Sequence, residues 1–313
     1  MTTLSTFNFN FEGNVWKFRV RDGTFDAGII QEVAYDPFYA MSRLWIDENS
    51  TVIDIGAHIG AFSVLAAARG ARVLALEPTL ENFRLLEENL RLNRLPGIVK
   101  PIKAALWTTD GVLEIKKPPP DEVNTGAGGF FYDDPRALTE TVECISLSTL
   151  FRREGVERCA LLKMDCEGAE LKILPALTEQ IFDKIDAIVL EYHLQQETDL
   201  RELLRVLYSR NFLIDWEERT DSLGMLIGFR ESKLEAEIFQ PLNLPWVVSP
   251  VIVDSRISRL PLLGSVERRM RGYFHSLVIF YLNQYLAQYS LLIRRNSLYL
   301  RMLLRYAKYQ DKF

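Results

Sequence analysis

Residues 51–78 read TVIDIGAHIGAFSVLAAARGARVLALEP. Val52, Ile53 and Ile55 mark a short buried strand that ends in Asp54-Ile55-Gly56. Gly56 and Gly60 bracket a tight turn, and Ala61–Ala68 is an apolar run of good helix formers with Gly70 as its stop. Arg72–Leu76 predicts a second buried strand with Glu77-Pro78 at its end. Strand, glycine turn, helix, strand and acid make the first half of a nucleotide-binding α/β unit.

The spacing discriminates between nucleotides. A dinucleotide fold uses G-x-G-x-x-G, which opens a helix N-terminus to a pyrophosphate. Here the pattern is D-x-G-x-x-x-G, which disfavours a nicotinamide dehydrogenase. The carboxylate of Asp54 repels phosphate and suits a cationic amino acid. An acid in the place of Glu77 accepts hydrogen bonds from ribose hydroxyls. Adenosine without phosphate, joined to a sulfonium and an amino group, is S-adenosylmethionine. Asp54, Gly56, Ala57 and Gly60 are expected at its methionine end and Glu77-Pro78 at its ribose. His58 is expected to meet it through its backbone.

The second informative run is Cys159–Leu174, CALLKMDCEGAELKIL. Ala160–Met164 reads as a buried strand, followed by Asp165, Glu167 and Glu170 around Gly168. Ligands of open α/β sheets bind outside the carboxyl ends of the strands, so these acids share a crevice with Asp54 and Glu77. Three acids within six residues are costly unless something uses them. They are candidates to orient a hydroxyl, take its proton or bind a divalent cation. For Glu170 alone, capping and solvating the next helix is the other reading. Ala187–Leu190 predicts a further strand, ending in Glu191-Tyr192-His193. His193 is a candidate general base because imidazole titrates near neutrality, and Glu191 a candidate substrate contact.

The remaining segments fall around this frame. Phe7–Val20 alternates about Glu12-Gly13-Asn14 and predicts a hairpin. Asp36-Pro37 opens a helix carrying Phe38, Met41 and Leu44 inward. Tyr35 and Phe38 either line the pocket or pack in the core. Thr79 is a good N-cap for a helix over Leu80–Asn93. Val99–Leu106 reads as the third strand, with Ala104 and Ala105 at its end as a flat place for an adenine ring. Lys116–Glu140 reads as a long loop in which Asn124 and Thr125 approach a substrate before a wall of Phe130, Phe131 and Tyr132; the alternative is a surface insertion. Phe212–Glu217 and Leu223–Phe229 close a seven-stranded set with an antiparallel pair at one edge.

Composition bounds the rest. The 313 residues carry a formal net charge of −5, which argues against nucleic acid as a partner. Three cysteines without a C-x-x-C pair exclude a disulfide framework or zinc knuckle and suit a reducing cytosol. The N-terminus lacks the pattern of a signal peptide, and no run reaches the ~18 apolar residues of a spanning helix. From Val251 onward eleven Lys and Arg face three Asp and Glu. Within that tail Val266, Met270, Tyr273, Leu277, Phe280, Gln284, Ala287 and Leu291 recur in a heptad-like seam. Residues 262–304 therefore predict amphipathic helices that pair with a copy of the chain, pack on the catalytic domain or lie on an anionic membrane face. The chain divides into an N-terminal hairpin region (1–34), an α/β domain (35–240) and a basic helical tail (241–313).

VIDIGAHIGAFS (52–63), LEP (76–78), AAL (104–106), LLKMDCEGAELKIL (161–174) and LEYH (190–193) together resemble the FkbM-type methyltransferase family over Tyr35–Arg230. The resemblance implies an α/β Rossmann-like class I methyltransferase: a seven-stranded, mostly parallel sheet with helices on both faces, here with a helical C-terminal extension. It implies S-adenosylmethionine as donor and O-methylation of a hydroxyl on a sugar, glycan, glycolipid or natural product. The family usually carries Asn where His58 stands. No metal is expected, although a cation on Asp165 and Glu167 is left open. The expected setting is cytoplasmic, with the inner membrane face as a place for the tail to dock. The competing reading is a catalytically weak scaffold assembling through its C-terminal helices; the intact acids and glycines argue against it.

Overall fold

The computed structural model describes residues 3–43, 45–196 and 198–230, together with Met302. The tail readings over residues 262–304, Met302 apart, and Leu44 of the early helix lie outside the described residues.

Alternation along the strands builds two cores around one sheet. In β3 (Thr51–Ile55), Val52 faces one side and Ile53 and Ile55 the other. The same division separates Leu161 from Leu162 in β9 (Leu161–Met164) and Val189 from Ile188 and Leu190 in β10 (Ala187–His193). Helices α1 (Asp26–Tyr35), α2 (Pro37–Arg43) and α3 (Ala61–Ala67) cover the Val52 face. On the Ile53 face lie α5 (Leu147–Glu154), α6 (Glu170–Ala176), α7 (Glu179–Phe182) and α8 (Asp199–Ser209).

With β4 (Arg72–Leu76), β5 (Ile98–Ile102), β11 (Phe212–Glu218) and β12 (Leu223–Arg230), the sheet has seven strands in the order β5-β4-β3-β9-β10-β12-β11. Neighbours from β5 to β10 run parallel, while β12 is antiparallel to both β10 and β11. Numbered among themselves in chain order, the strands lie 3-2-1-4-5-7-6. This is the mostly parallel sheet with helices on both faces that the resemblance implies.

Two segments differ from expectation. Val99–Leu106 is two strands: β5 in the main sheet, and β6 (Ala105–Leu106) in a small sheet with β7 (Gly111–Lys117) and β8 (Leu138–Ile145). A tight turn, with Ala104 N–H donating to Ile102 O at 3.0 Å, redirects the chain between them. Pro101 is tolerated because β5 is an edge strand. Helix α1, absent from the sequence reading, brings Ile29, Glu32 and Val33 to the pocket wall.

The hairpin β1 (Leu4–Phe11) and β2 (Asn14–Arg21) turns at Glu12-Gly13, both at positive φ, as a two-residue hairpin loop demands. It joins the domain core: Trp16, Phe18 and Val20 are buried in the same cluster as Val52 and Phe62. Phe38 is buried there too, whereas Tyr35 is exposed and meets Phe9 and Phe11 edge-on. Helix α4 (Leu80–Leu92) holds the hairpin through Asn89, whose side chain accepts from Arg19 N–H and donates to Arg19 O and Ile59 O.

Candidate active site

The carboxyl ends of β3, β4, β9 and β10 meet at one pocket. At the end of β3 the chain passes Gly56 (φ 70), His58 (φ 51) and Gly60 (φ 91). A Cβ on Gly56 would fall 1.8 Å from the carbonyl oxygen of Asp165, so only glycine lets the β3 and β9 loops pass this closely. One on Gly60 would strike Leu86 of α4 at 2.6 Å.

Glu77 closes β4 and is nearly fully buried. One oxygen accepts from His58 N–H at 2.9 Å, the other from Thr79 N–H at 3.0 Å and from the Thr79 hydroxyl. Burial pushes its carboxyl up, against these bonds. Asn82 Nδ2 lies 3.5 Å from the same oxygen as Thr79, so that oxygen is filled, whereas the one facing His58 N–H has a single partner and keeps an acceptor position in the pocket that Glu77 lines. Thr79 occupies the N-cap position, but its hydroxyl is spent on Glu77.

Beneath the floor lies Lys163. Its Nζ donates to Gly56 O at 2.7 Å and Ile55 O at 3.2 Å, and stands 3.2 Å from Asp54 Oδ1 and 3.7 Å from Asp165 Oδ2. Burial opposes its charge, but Asp54 and Asp165 outweigh it and the pKa ends above the ordinary lysine value. Asp54 also accepts from the Ser63 hydroxyl at 2.6 Å and is fully buried. The expectation that Asp54 meets a ligand is therefore corrected in place: strand parity puts it with Val52, under α3, behind the floor.

The β9–α6 loop carries the acids. Glu167 sits at φ 54 and Gly168 at φ 94. Glu170 is fully buried and accepts from Gly168 N–H at 3.1 Å and from His193 N–H at 2.8 Å, so it neither caps α6 in solvent nor faces the pocket. His193, at the end of β10, has Nδ1 3.2 Å from Glu170 and Nε2 3.3 Å from Glu167. Burial disfavours its charge, but Glu170 and Glu167 dominate and hold the ring up at about 10. Burial raises Glu167 to about 7 and Glu191 to about 8, Asp165 adding to both against the pull of His193. The expected imidazole base is thus not free: both ring nitrogens face carboxyl groups, which favour its charged form.

The long loop folds over the pocket rather than out into solvent. Thr125 Oγ1 donates to Asp26 at 2.9 Å, and Asn82 Nδ2 donates to Thr125 O at 3.3 Å. Arg21 Nη2 lies 3.1 Å from His58 Nε2, with Thr125 Oγ1 3.0 Å away on the same nitrogen. Burial drives the His58 pKa down to about 4, with Asp26 pulling against it. Phe130 lines the pocket, and Phe131 lies over Gly168.

Of the sequence candidates, Gly56, His58, Glu77, Pro78, Ala104, Ala105, Asn124, Thr125, Asp165, Glu167 and Glu191 line this one pocket. Asp54, Ala57, Gly60 and Glu170 stand outside its lining, and His193 stands beside Glu167. Sequence reasoning missed Glu32, Tyr39, Asn82 and Lys163. Lys163 carried a signal, a lysine inside an apolar strand run; the other three gave none. Among the described residues that line the pocket there are five carboxylates, Glu32, Glu77, Asp165, Glu167 and Glu191, and no Lys or Arg.

The sequence profile of the Methyltransferase FkbM domain matches residues 54–214, just over half of the chain. The chain is 30% identical over 191 residues to the methyltransferase sdnD of Sordaria araneosa, covering 52% of this chain and 73% of that protein. It is 27% identical over 150 residues to the hexuronic acid methyltransferase AglP of Haloferax volcanii, covering 47% of this chain and 57% of that protein. With the 31-O-demethyl-FK506 methyltransferase FkbM of Streptomyces tacrolimicus it shares 23% identity over 218 residues, covering 61% of this chain and 83% of the relative. The matched span takes in the glycine turn, Glu77, the buried Lys163 and the β9–α6 acid loop, on a Rossmann-like class I methyltransferase sheet, and the chain belongs to the FkbM methyltransferase family.

Proposed function

We propose that this methyltransferase uses S-adenosylmethionine to methylate a hydroxyl of a sugar, glycan or glycolipid-type acceptor. The observation that carries the reading is one pocket joining Glu77, at the end of β4, to Asp165, Glu167 and Glu191 at the ends of β9 and β10. The residues fit the donor. Glu77 keeps acceptor capacity for ribose hydroxyls, and Ala104 and Ala105 leave a smooth wall for adenine. The carboxylates suit a sulfonium and an ammonium group, with no Lys or Arg in the described lining to oppose them.

When bound, S-adenosylmethionine supplies an electrophilic methyl group. The chain supplies position and proton transfer. Asp165, Glu167 and Glu191 orient the acceptor hydroxyl, and one of these carboxylates takes its proton. His193, pinned on Nδ1 by Glu170, fixes Glu167 and acts as a positioning residue. Asn124 and Thr125 close the acceptor side from the long loop. Holding the oxygen in line with the methyl carbon provides much of the rate. The name of AglP supports a sugar acceptor, and the demethyl substrate in the name of FkbM supports oxygen as the atom methylated.

The test is transfer of labelled methyl from S-adenosylmethionine to a panel of free sugars, sugar acids and glycolipids. Label on an acceptor oxygen is expected, with His193→Ala lowering kcat at least ~10-fold and leaving donor affinity unchanged. Label only on nitrogen or carbon overturns the oxygen assignment.

A further inference from the structure

We infer that Asp165, Glu167 and His193 form a binding site for a divalent cation of the Mn2+ or Mg2+ type at the acceptor end of the pocket. The inference rests on the hydroxyl-methylation reading and states how the hydroxyl is held.

The three side chains come from two elements, the β9–α6 loop and the end of β10, and each offers one donor atom within 4.8 Å of the other two. His193 Nε2 and Glu167 Oε2 are already 3.3 Å apart. Adjacent ligands of an octahedral ion with bonds of about 2.1 Å lie roughly 3.0 Å apart, so small side-chain movements suffice. Asp165 and Glu167 line the pocket and all three residues are part-exposed, which leaves coordination positions open to an acceptor oxygen.

A second observation points the same way. Glu170, fully buried and outside the trio, holds His193 Nδ1 at 3.2 Å and the His193 backbone N–H at 2.8 Å. A carboxylate on the far nitrogen of an imidazole keeps the proton on Nδ1 and orients the ring, so that Nε2 gives up its proton when an ion binds; metal-binding histidines are oriented in this way. Lys163, the cation beneath the floor, stands 3.7 Å from Asp165 and is shared with Asp54 and two carbonyls, so it meets Asp165 only in part. Two carboxylates and one imidazole with open positions suit a hard or borderline divalent ion, not a soft one. The ion would bind the acceptor oxygen and ease loss of its proton to Glu191, with no change in its own oxidation state.

The test is titration of the full chain with Mn2+, following free Mn2+ by electron paramagnetic resonance, with thermal melts confirming that each variant folds. One saturable site per chain is expected. Asp165→Asn and His193→Ala should each weaken it at least ~10-fold, and Glu170→Gln by about 10-fold through the orientation of His193. Glu32→Gln, a pocket acid outside the trio, should leave it within about twofold, well short of those losses. No saturable site, full affinity in Asp165→Asn, or equal weakening in Glu32→Gln overturns the inference, the last by showing only a diffuse acidic field. Binding of S-adenosylhomocysteine in EDTA is measured beside it. Product binding without a Mn2+ site removes the cation alone; a Mn2+ site without product binding removes the donor assignment and keeps the cation.

Discussion

The Nζ of Lys163 stands 3.2 Å from Oδ1 of Asp54, and both side chains are buried beneath the pocket floor. The pair ties β9 to β3, and Lys163 extends the tie to the carbonyls of Ile55 and Gly56. Removing one partner of a buried pair leaves the other charge uncompensated. Lys163→Met is therefore expected to cost about 3–5 kcal/mol. The double variant with Asp54→Asn should recover part of that loss, because the two effects are coupled. Urea unfolding of both proteins measures this, and a loss below about 1 kcal/mol in Lys163→Met would contradict it.

Gly56 and Gly13 make a matched pair for a second test. Both sit at positive φ, 70 and 77, but a Cβ on Gly56 meets Asp165 O at 1.8 Å whereas one on Gly13 meets nothing within 4 Å. Gly13→Ala carries only the left-handed backbone cost, about 1 kcal/mol. Gly56→Ala adds a backbone clash and should lose at least ~3 kcal/mol together with ligand binding. Similar melting temperatures for the two variants would show that the β3 and β9 loops can move apart freely.

His58 sets a pH dependence. Its pKa falls from 6.5 to about 4 on folding, so between those values the unfolded chain binds the extra proton. Stability contributed here is complete above about pH 6.5 and is lost as the pH falls toward 4, on the order of 3 kcal/mol. Asp26, whose carboxyl is lowered by Arg21 and His58 against its burial, extends the loss to lower pH. Melting temperatures across pH 4–7 should fall more steeply for the parent protein than for His58→Asn. Parallel curves would show that His58 is not the group responsible.

Much of the frame was legible because it depends on short-range pattern. Glycines at the ends of Thr51–Ile55 and before Ala61 mark a turn whatever surrounds them, and the Leu161–Met164 run predicts a strand by itself. Helix α1 was not legible: Gly28 lies within it and Phe25, not a capping residue, precedes it. The split of 99–106 depends on β8, which follows some thirty residues later and pairs with Ala105 and Leu106. Residue types identified the acids but not their depth. Asp54 and Glu170 read like Asp165 and Glu167, yet the first two are sealed and the second two face the pocket. Strand parity could have moved Asp54 behind the floor; nothing local could have told that Glu170 turns back onto His193.

Glu77 and the pocket it closes are proposed to bind S-adenosylmethionine. The most direct measurement is calorimetric titration with S-adenosylhomocysteine, the demethylated product, on the parent protein and on Glu77→Ala, with melts confirming that both fold. Saturable one-to-one binding is expected, weakening at least ~10-fold in the variant through the loss of hydrogen bonds to a buried charged group. A folded parent protein that takes up no product, or a Glu77→Ala variant that binds it as tightly as the parent, would contradict it.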